Sequence, residues 1–324
     1  MPVGLNLVVD ITADDLMKEP IRLGFGRGLL LAGQDNEQVV AVCADLTDST
    51  QMSLFKNAFP ERFVQVGVAE QDLVTVGSGL AAMGKIPFVS SYAVFSPGRN
   101  WEQIRTTVCI NNQPVKIIGS HTGINVGPDG ATHQMLEDLA LMRVLPNMVV
   151  IAPADSLEAQ RATIAMAHDE RPNYMRLARE ATPVITTDKT PFQIGRAYIY
   201  AEGKDISLIA TGTMTFHALI AAQLLAQDSI SAEVIHVPTI KPLDNKVILD
   251  SARKTKAVIT IEEGQINGGL GGAIAELLSE EEPTKLKRIG MNDHFGESGR
   301  ADELMSHFSL DAAHIRMAAH LLLS

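Results

Sequence analysis

Four short segments hold side chains whose types and spacing could do chemistry, beyond what core packing accounts for. Phe63-Val-Gln-Val-Gly-Val-Ala-Glu-Gln-Asp72 runs from an apolar stretch through Gly67 into a helical pattern, which puts Glu70 at or near a helix N-terminus. A carboxylate there complements the helix dipole, so on its own Glu70 is also an ordinary first-turn residue. Ile118-Gly-Ser-His-Thr-Gly-Ile-Asn-Val-Gly-Pro-Asp-Gly-Ala-Thr-His-Gln134 packs four glycines, two histidines and an aspartate into one loop. A loop this polar, following a buried strand, is where open α/β sheets bind ligands, and its glycines permit close backbone approach. Pro87-Phe-Val-Ser-Ser-Tyr-Ala-Val-Phe95 presents Phe88, Tyr92 and Phe95. Aromatics at this spacing are core in most folds, yet they could also wall a flat heteroaromatic ring. Ala44-Asp-Leu-Thr-Asp-Ser-Thr50 offers hydroxyls and carboxylates at a strand end, where such residues also serve as ordinary caps and turns.

The elements that must position these segments follow from hydrophobic periodicity. Short apolar runs at Val39–Cys43, Phe63–Val66, Ile86–Val89, Val115–Ile118 and Met148–Ile151 alternate with helical patterns. The helices are expected over Ile21–Leu31, Gln71–Met83, Asn100–Asn111 and Leu157–His168. Continuously apolar strands of this length belong to a parallel sheet covered on both faces, so the fold class is α/β, doubly wound. Over Thr182–Gln193 two prolines and four threonines interrupt the pattern, reading as a linker. A second α/β unit follows, with strands at Ile206–Ala210, Ala232–Val237 and Ala257–Ile261 and helices at Phe216–Ala226 and Gly271–Leu278. Two doubly wound domains are therefore expected, over residues 1–188 and 189–324.

Composition narrows the function. The 324 residues carry a net charge of −11, which argues against broad contact with a nucleic-acid backbone. An anionic small molecule would need basic residues gathered locally. Cys43 and Cys109 lack metal-ligand spacing and read as buried free thiols in a reducing cytoplasm. The acidic start (Asp10, Asp14, Asp15) does not resemble a signal peptide, and no apolar run is long enough for a membrane span; a cytoplasmic location is expected.

Taken in this order and at these separations, the segments resemble the carboxyl-terminal two-thirds of a transketolase, from about Pro20 to the end. The loop Gly127-Pro-Asp-Gly-Ala-Thr-His-Gln134 is similar to the family pattern Gly-Glu-Asp-Gly-Pro-Thr-His-Gln, with Pro128 and Ala131 as departures. The stretch Phe295-Gly-Glu-Ser-Gly299 resembles the family's Phe-Gly-x-Ser-Gly. The resemblance implies a pyrimidine-binding domain followed by the transketolase C-terminal domain, and thiamine diphosphate as cofactor. It assigns Glu70 to hydrogen-bond N1′ of the aminopyrimidine, Tyr92 and Phe95 to stack on that ring, and Asp45 to the thiazolium side. A further family aromatic falls at Gly98. Arg22, Ser49, His121 and Arg179 match residues that hold a sugar phosphate, and Asp129 one that recognises a sugar hydroxyl. His133 matches a histidine beside the two-carbon unit in transfer, so Glu70, His121 and His133 are the candidate catalytic residues.

The family also holds Mg²⁺ through a Gly-Asp-Gly segment, and no such string occurs in this chain. No metal ligand is assigned here. The resemblance implies that Mg²⁺ and the diphosphate are bound mainly by an N-terminal partner subunit, in an α₂β₂ assembly active only as the pair. Alternatives are a 1-deoxyxylulose-5-phosphate synthase-like chain, a 2-oxo-acid dehydrogenase E1 β-like subunit, and a non-catalytic assembly subunit. The synthase carries Asp-Arg where this chain has His121-Thr122. Dehydrogenase β subunits resemble Ile261–Gly272 but lack the paired-histidine loop. An assembly subunit would have no need of Glu70 and both histidines.

Overall fold

Largely buried strands build two large sheets, beside a small two-stranded one, in the computed structural model, which describes residues 6–324. The first sheet has seven strands in the order Thr239–Lys241, Val149–Ile151, Asn173–Leu177, Lys116–Ser120, Ile86–Tyr92, Val39–Cys43 and Phe63–Gln65. All pair in parallel except Thr239–Lys241, which runs antiparallel at one edge. The second sheet has five strands, Lys285–Met291, Ala257–Gln265, Ile206–Ala210, Ala232–His236 and Tyr198–Ala201, the last antiparallel. Helices cover both, as the unbroken apolar strands require. The architecture is that of two doubly wound α/β units.

The helices Ile21–Asp35 and Ser156–Ala167 show how sequence fixes packing. A Cβ at Gly24 would collide with the Ser156 carbonyl, and one at Gly28 would lie 2.7 Å from the Gln160 carbonyl oxygen. The two backbones therefore approach more closely than any larger residue permits. Phe88 is core: it is fully buried and its ring lies 6.4 Å from that of Phe25. Both cysteines are free and buried, and burial pushes the Cys109 thiol up to about 11.

Three features depart from the sequence expectation. The helix expected over 100–111 is a short α-helical turn, Trp101–Gln103, that opens into a π-helix, Ile104–Cys109. Thr106 and Thr107 donate their hydroxyls to the carbonyls of Glu102 and Gln103, at 2.9 and 2.7 Å, which accompanies the widened turn. The stretch 182–193 is tied down along its first half. Ala181–Pro183 pairs with Lys18–Pro20, and the Asp155 carboxylate accepts from the amides of Ile185 and Thr186 and the Thr186 hydroxyl. Lastly, Thr239–Lys241 comes from the second half of the chain yet joins the first sheet. Three residues are too few to show a period.

Candidate active site

The parallel strands aim their carboxyl ends at one side of the first sheet, and the loops there carry the candidate residues. Glu70 is the first residue of the helix Glu70–Ala82 and is 2% exposed. Gly67, at φ +73°, turns the chain from the strand into this helix, and a Cβ there would meet nothing within 4 Å. Beyond it Val68 is 73% exposed. Arg99 donates from Nη1 to Glu70 Oε2 at 2.6 Å, and the Asn100 side chain donates to the Glu70 carbonyl at 2.6 Å. Glu70 Oε1 accepts no hydrogen bond among the described residues. Sequence reasoning missed both Arg99 and Asn100. Nothing in the local sequence marks either of them.

Beside this carboxylate lie the aromatic rings. The Arg99 guanidinium sits 4.8 Å from the centre of the Phe95 ring, a cation–π distance. Phe95 and Tyr92 are near-parallel, with centroids 6.1 Å apart and planes 15° from each other. His121 stacks on Tyr92 at 3.7 Å, and His133 meets Phe95 edge-on at 5.7 Å. His121 thus covers one face of Tyr92, while the half-buried Phe95 ring has Arg99 and Tyr92 as its neighbours. At Gly98 a side chain would run into the Val94 carbonyl, so the family's further aromatic has no room on this backbone.

A basic recess adjoins the rings. Arg22 donates to the Ser49 carbonyl at 2.8 Å and to the Arg179 carbonyl at 3.3 Å. Arg179 donates to the Val126 carbonyl at 2.6 Å, and its guanidinium lies 3.6 Å from both Asp129 and Glu180. Arg22, Ser49, Asp129, Arg179 and His121 are therefore neighbours, although they come from four stretches of chain. His121 is 3% exposed, has φ +58°, and its Nδ1 lies 2.9 Å from Ser120 Oγ. Burial, then the charges of Arg22, Arg179 and His133, push its pKa down to about 3. The imidazole is accordingly neutral, and the positive charge of the recess comes from the two arginines. Asp45 stands apart: it is exposed, at φ +60°, with its amide donating to the Gln65 side chain at 2.8 Å.

A buried carboxylate, an aromatic face and a two-arginine recess at the ends of parallel strands define a ligand site of the doubly wound type. Comparison with known proteins gives it a family. Residues 19–184 match the transketolase pyrimidine-binding domain, and residues 195–315 the transketolase C-terminal domain. The chain is 44% identical over 299 residues to the transketolase C-terminal section assigned in Methanocaldococcus jannaschii, covering 91% of this chain and 93% of that one. It is 41% identical over 292 residues to the 6-deoxy-6-sulfo-D-fructose transketolase subunit of a Clostridium species, covering 90% and 91%. Among solved structures, a split-gene transketolase crystallised as an inactive β4 tetramer superposes with a TM-score of 0.88 at 43% identity, covering 94% and 98%. The chain belongs to the transketolase family, a family of thiamine-dependent transferases.

Proposed function

We propose that this chain is the pyrimidine-binding subunit of a split transketolase, moving a two-carbon ketol unit from a ketose phosphate to an aldose with thiamine diphosphate. One observation carries this reading: Glu70, Arg99, the Phe95 and Tyr92 rings, His121 and His133 follow one another in contact, and the charges of the arginine recess act on His121. The residues present fit the cofactor's pyrimidine, because a buried carboxylate with one oxygen free of hydrogen bonds among the described residues lies near the half-buried Phe95 and Tyr92 rings, and Gly67 brings no side chain to the approach. When bound, the cofactor supplies a nucleophilic carbon that accepts the ketol fragment.

The chain's own part is to hold and orient. Glu70 would hydrogen-bond N1′ of the pyrimidine through Oε1, since Arg99 holds its other oxygen. His133 can hydrogen-bond substrate oxygens, and the neutral His121 can donate to or accept from them without adding charge. Arg22 and Arg179 supply charge-assisted hydrogen bonds for a substrate phosphate, which explains how a chain of net charge −11 binds an anion. Asp129, held near Arg179, is placed to recognise a sugar hydroxyl, and Asp45 is assigned to the cofactor's thiazolium side. The diphosphate and Mg²⁺ are assigned to an N-terminal partner subunit. Two relatives support that division: the Methanocaldococcus protein is a C-terminal section, and the Clostridium protein is a subunit.

Kinetics with two donors test the phosphate assignment. A hydrogen bond to a charged group contributes about 1.5–3 kcal/mol, so Arg179→Ala should raise KM for a phosphorylated ketose by about tenfold or more. Hydroxypyruvate, which has no phosphate, should be affected little. Equal losses on both donors would show that the recess does not bind phosphate. A second reading has support from 1-deoxy-D-xylulose-5-phosphate synthase 1 of Geobacter sulfurreducens, 38% identical over 93% of this chain but 47% of that protein. Condensation of pyruvate with glyceraldehyde 3-phosphate by the reconstituted pair would favour it over ketol transfer.

A further inference from the structure

The loop that carries His121, Asp129 and His133 is gripped from the second domain. Gly123, the second of its four glycines, has φ +76°, and a Cβ there would strike the carboxyl group of Glu263. Glu263 lies on the strand Ala257–Gln265 and is 5% exposed. Its Oε1 accepts from the Asn125 amide at 2.6 Å and its Oε2 from the Thr213 hydroxyl at 2.7 Å. Asn125 passes the restraint on, because its side-chain oxygen accepts the Glu180 amide at 2.6 Å. Glu180 follows Arg179, whose guanidinium bonds the Val126 carbonyl next to Asn125. At the far end of the loop, Gln134 donates to the carbonyls of Gly127 and Glu297, at 3.1 and 3.0 Å.

We infer that Glu263 is a positioning residue for anion binding: through Asn125 it fixes the backbone of residues 123–126 and of Glu180, and so aims Arg179. Its consequence for substrate rests on the phosphate reading given above. A buried carboxylate accepting a backbone N–H and a hydroxyl is a far stiffer anchor than packing alone, since unmaking it strands a charge in the interior. Burial pushes Glu263 above the ordinary carboxylate range, and the nearby Arg176 guanidinium offsets part of that. Arg176 Nη1 donates to the Glu263 backbone carbonyl at 2.9 Å, while its Nε lies 3.1 Å from Asp138. Glu262, the adjacent residue, is used differently. Its carboxylate accepts the amides of Leu270 and Gly271 at the start of a helix and makes no contact with the loop.

Amide hydrogen exchange in the full-length chain tests the anchor without requiring activity. Glu263→Ala should speed exchange at Asn125 and Glu180 by about tenfold or more, as local opening no longer breaks a buried bond. Glu263→Gln, which keeps an acceptor oxygen, should restore most of the protection. If Glu263→Ala does not fold, Asn125→Ala leaves Glu263 with its amide and hydroxyl donors and should free the Glu180 amide alone. Unchanged exchange at Glu180 in a folded variant of either kind overturns the inference. In the reconstituted pair, Glu263→Ala should raise KM for a phosphorylated ketose while sparing kcat, with rescue by Gln. Faster exchange combined with equal losses on phosphorylated and unphosphorylated donors would keep the anchor and refute the phosphate reading beneath it.

Discussion

Glu70 and Arg99 form a unit in which the burial of one charge is offset by the other. Replacing Glu70 by Ala leaves Arg99 half exposed and solvated, so folding should survive while activation of the cofactor fails. The loss should exceed the ~10²–10⁴-fold of a typical general acid–base group. Hydrogen–deuterium exchange at C2 of the thiazolium, measured in the reconstituted pair, checks this; wild-type exchange would move the role elsewhere. His121 makes a second prediction at this scale. Its native pKa, about 3, lies below the ordinary 6.5, so the folded chain binds fewer protons than the unfolded chain between those values. Stability must therefore fall as pH drops from about 6.5 toward 3, by up to ~1.4 kcal/mol per pH unit from this residue. Urea midpoints at pH 7 and pH 5 should differ more in the wild type than in His121→Gln. Identical slopes would show that the imidazole is already protonated in the fold.

At the scale of elements, the loop 118–134 was legible because its polar residues follow an unbroken buried strand. Arg99, Asn125 and Glu263 were not, since nothing local marks them. Glu263 meets Asn125 across 138 positions of sequence, and Glu70 meets Arg99 across 29. The π-helix at Ile104–Cys109 was equally hidden, because its apolar residues keep a period close to that of an α-helix. The turn at Gly98 gives the element-scale prediction. An aromatic there restores the family pattern in sequence but collides with the Val94 carbonyl. Gly98→Tyr should therefore lower stability by about 1–3 kcal/mol, the usual range for overpacking. It should not tighten cofactor binding. A thermal midpoint equal to the wild type's, with stronger binding, would show that the turn has another conformation open to it.

At the scale of the molecule, alternating apolar runs and helices revealed both α/β units, but not how they are joined. The edge strand Thr239–Lys241, the His236–Glu158 bond and the Glu263–Asn125 bond cross between the two α/β units. Arg176 shows why one strand escaped notice: a buried arginine, paired with Asp138, interrupts Asn173–Leu177, whose burial the sequence therefore did not display. Residues of the second half thus shape the loop that would meet substrate, while the groups needed to hold a diphosphate are assigned to another chain. That division is the central claim, and reconstitution tests it most directly. The purified chain is assayed for ketol transfer with thiamine diphosphate and Mg²⁺, alone and with a Gly-Asp-Gly-containing transketolase N-terminal subunit. The account predicts no turnover alone and saturable turnover as the partner is titrated in; robust turnover by this chain without a partner would contradict it.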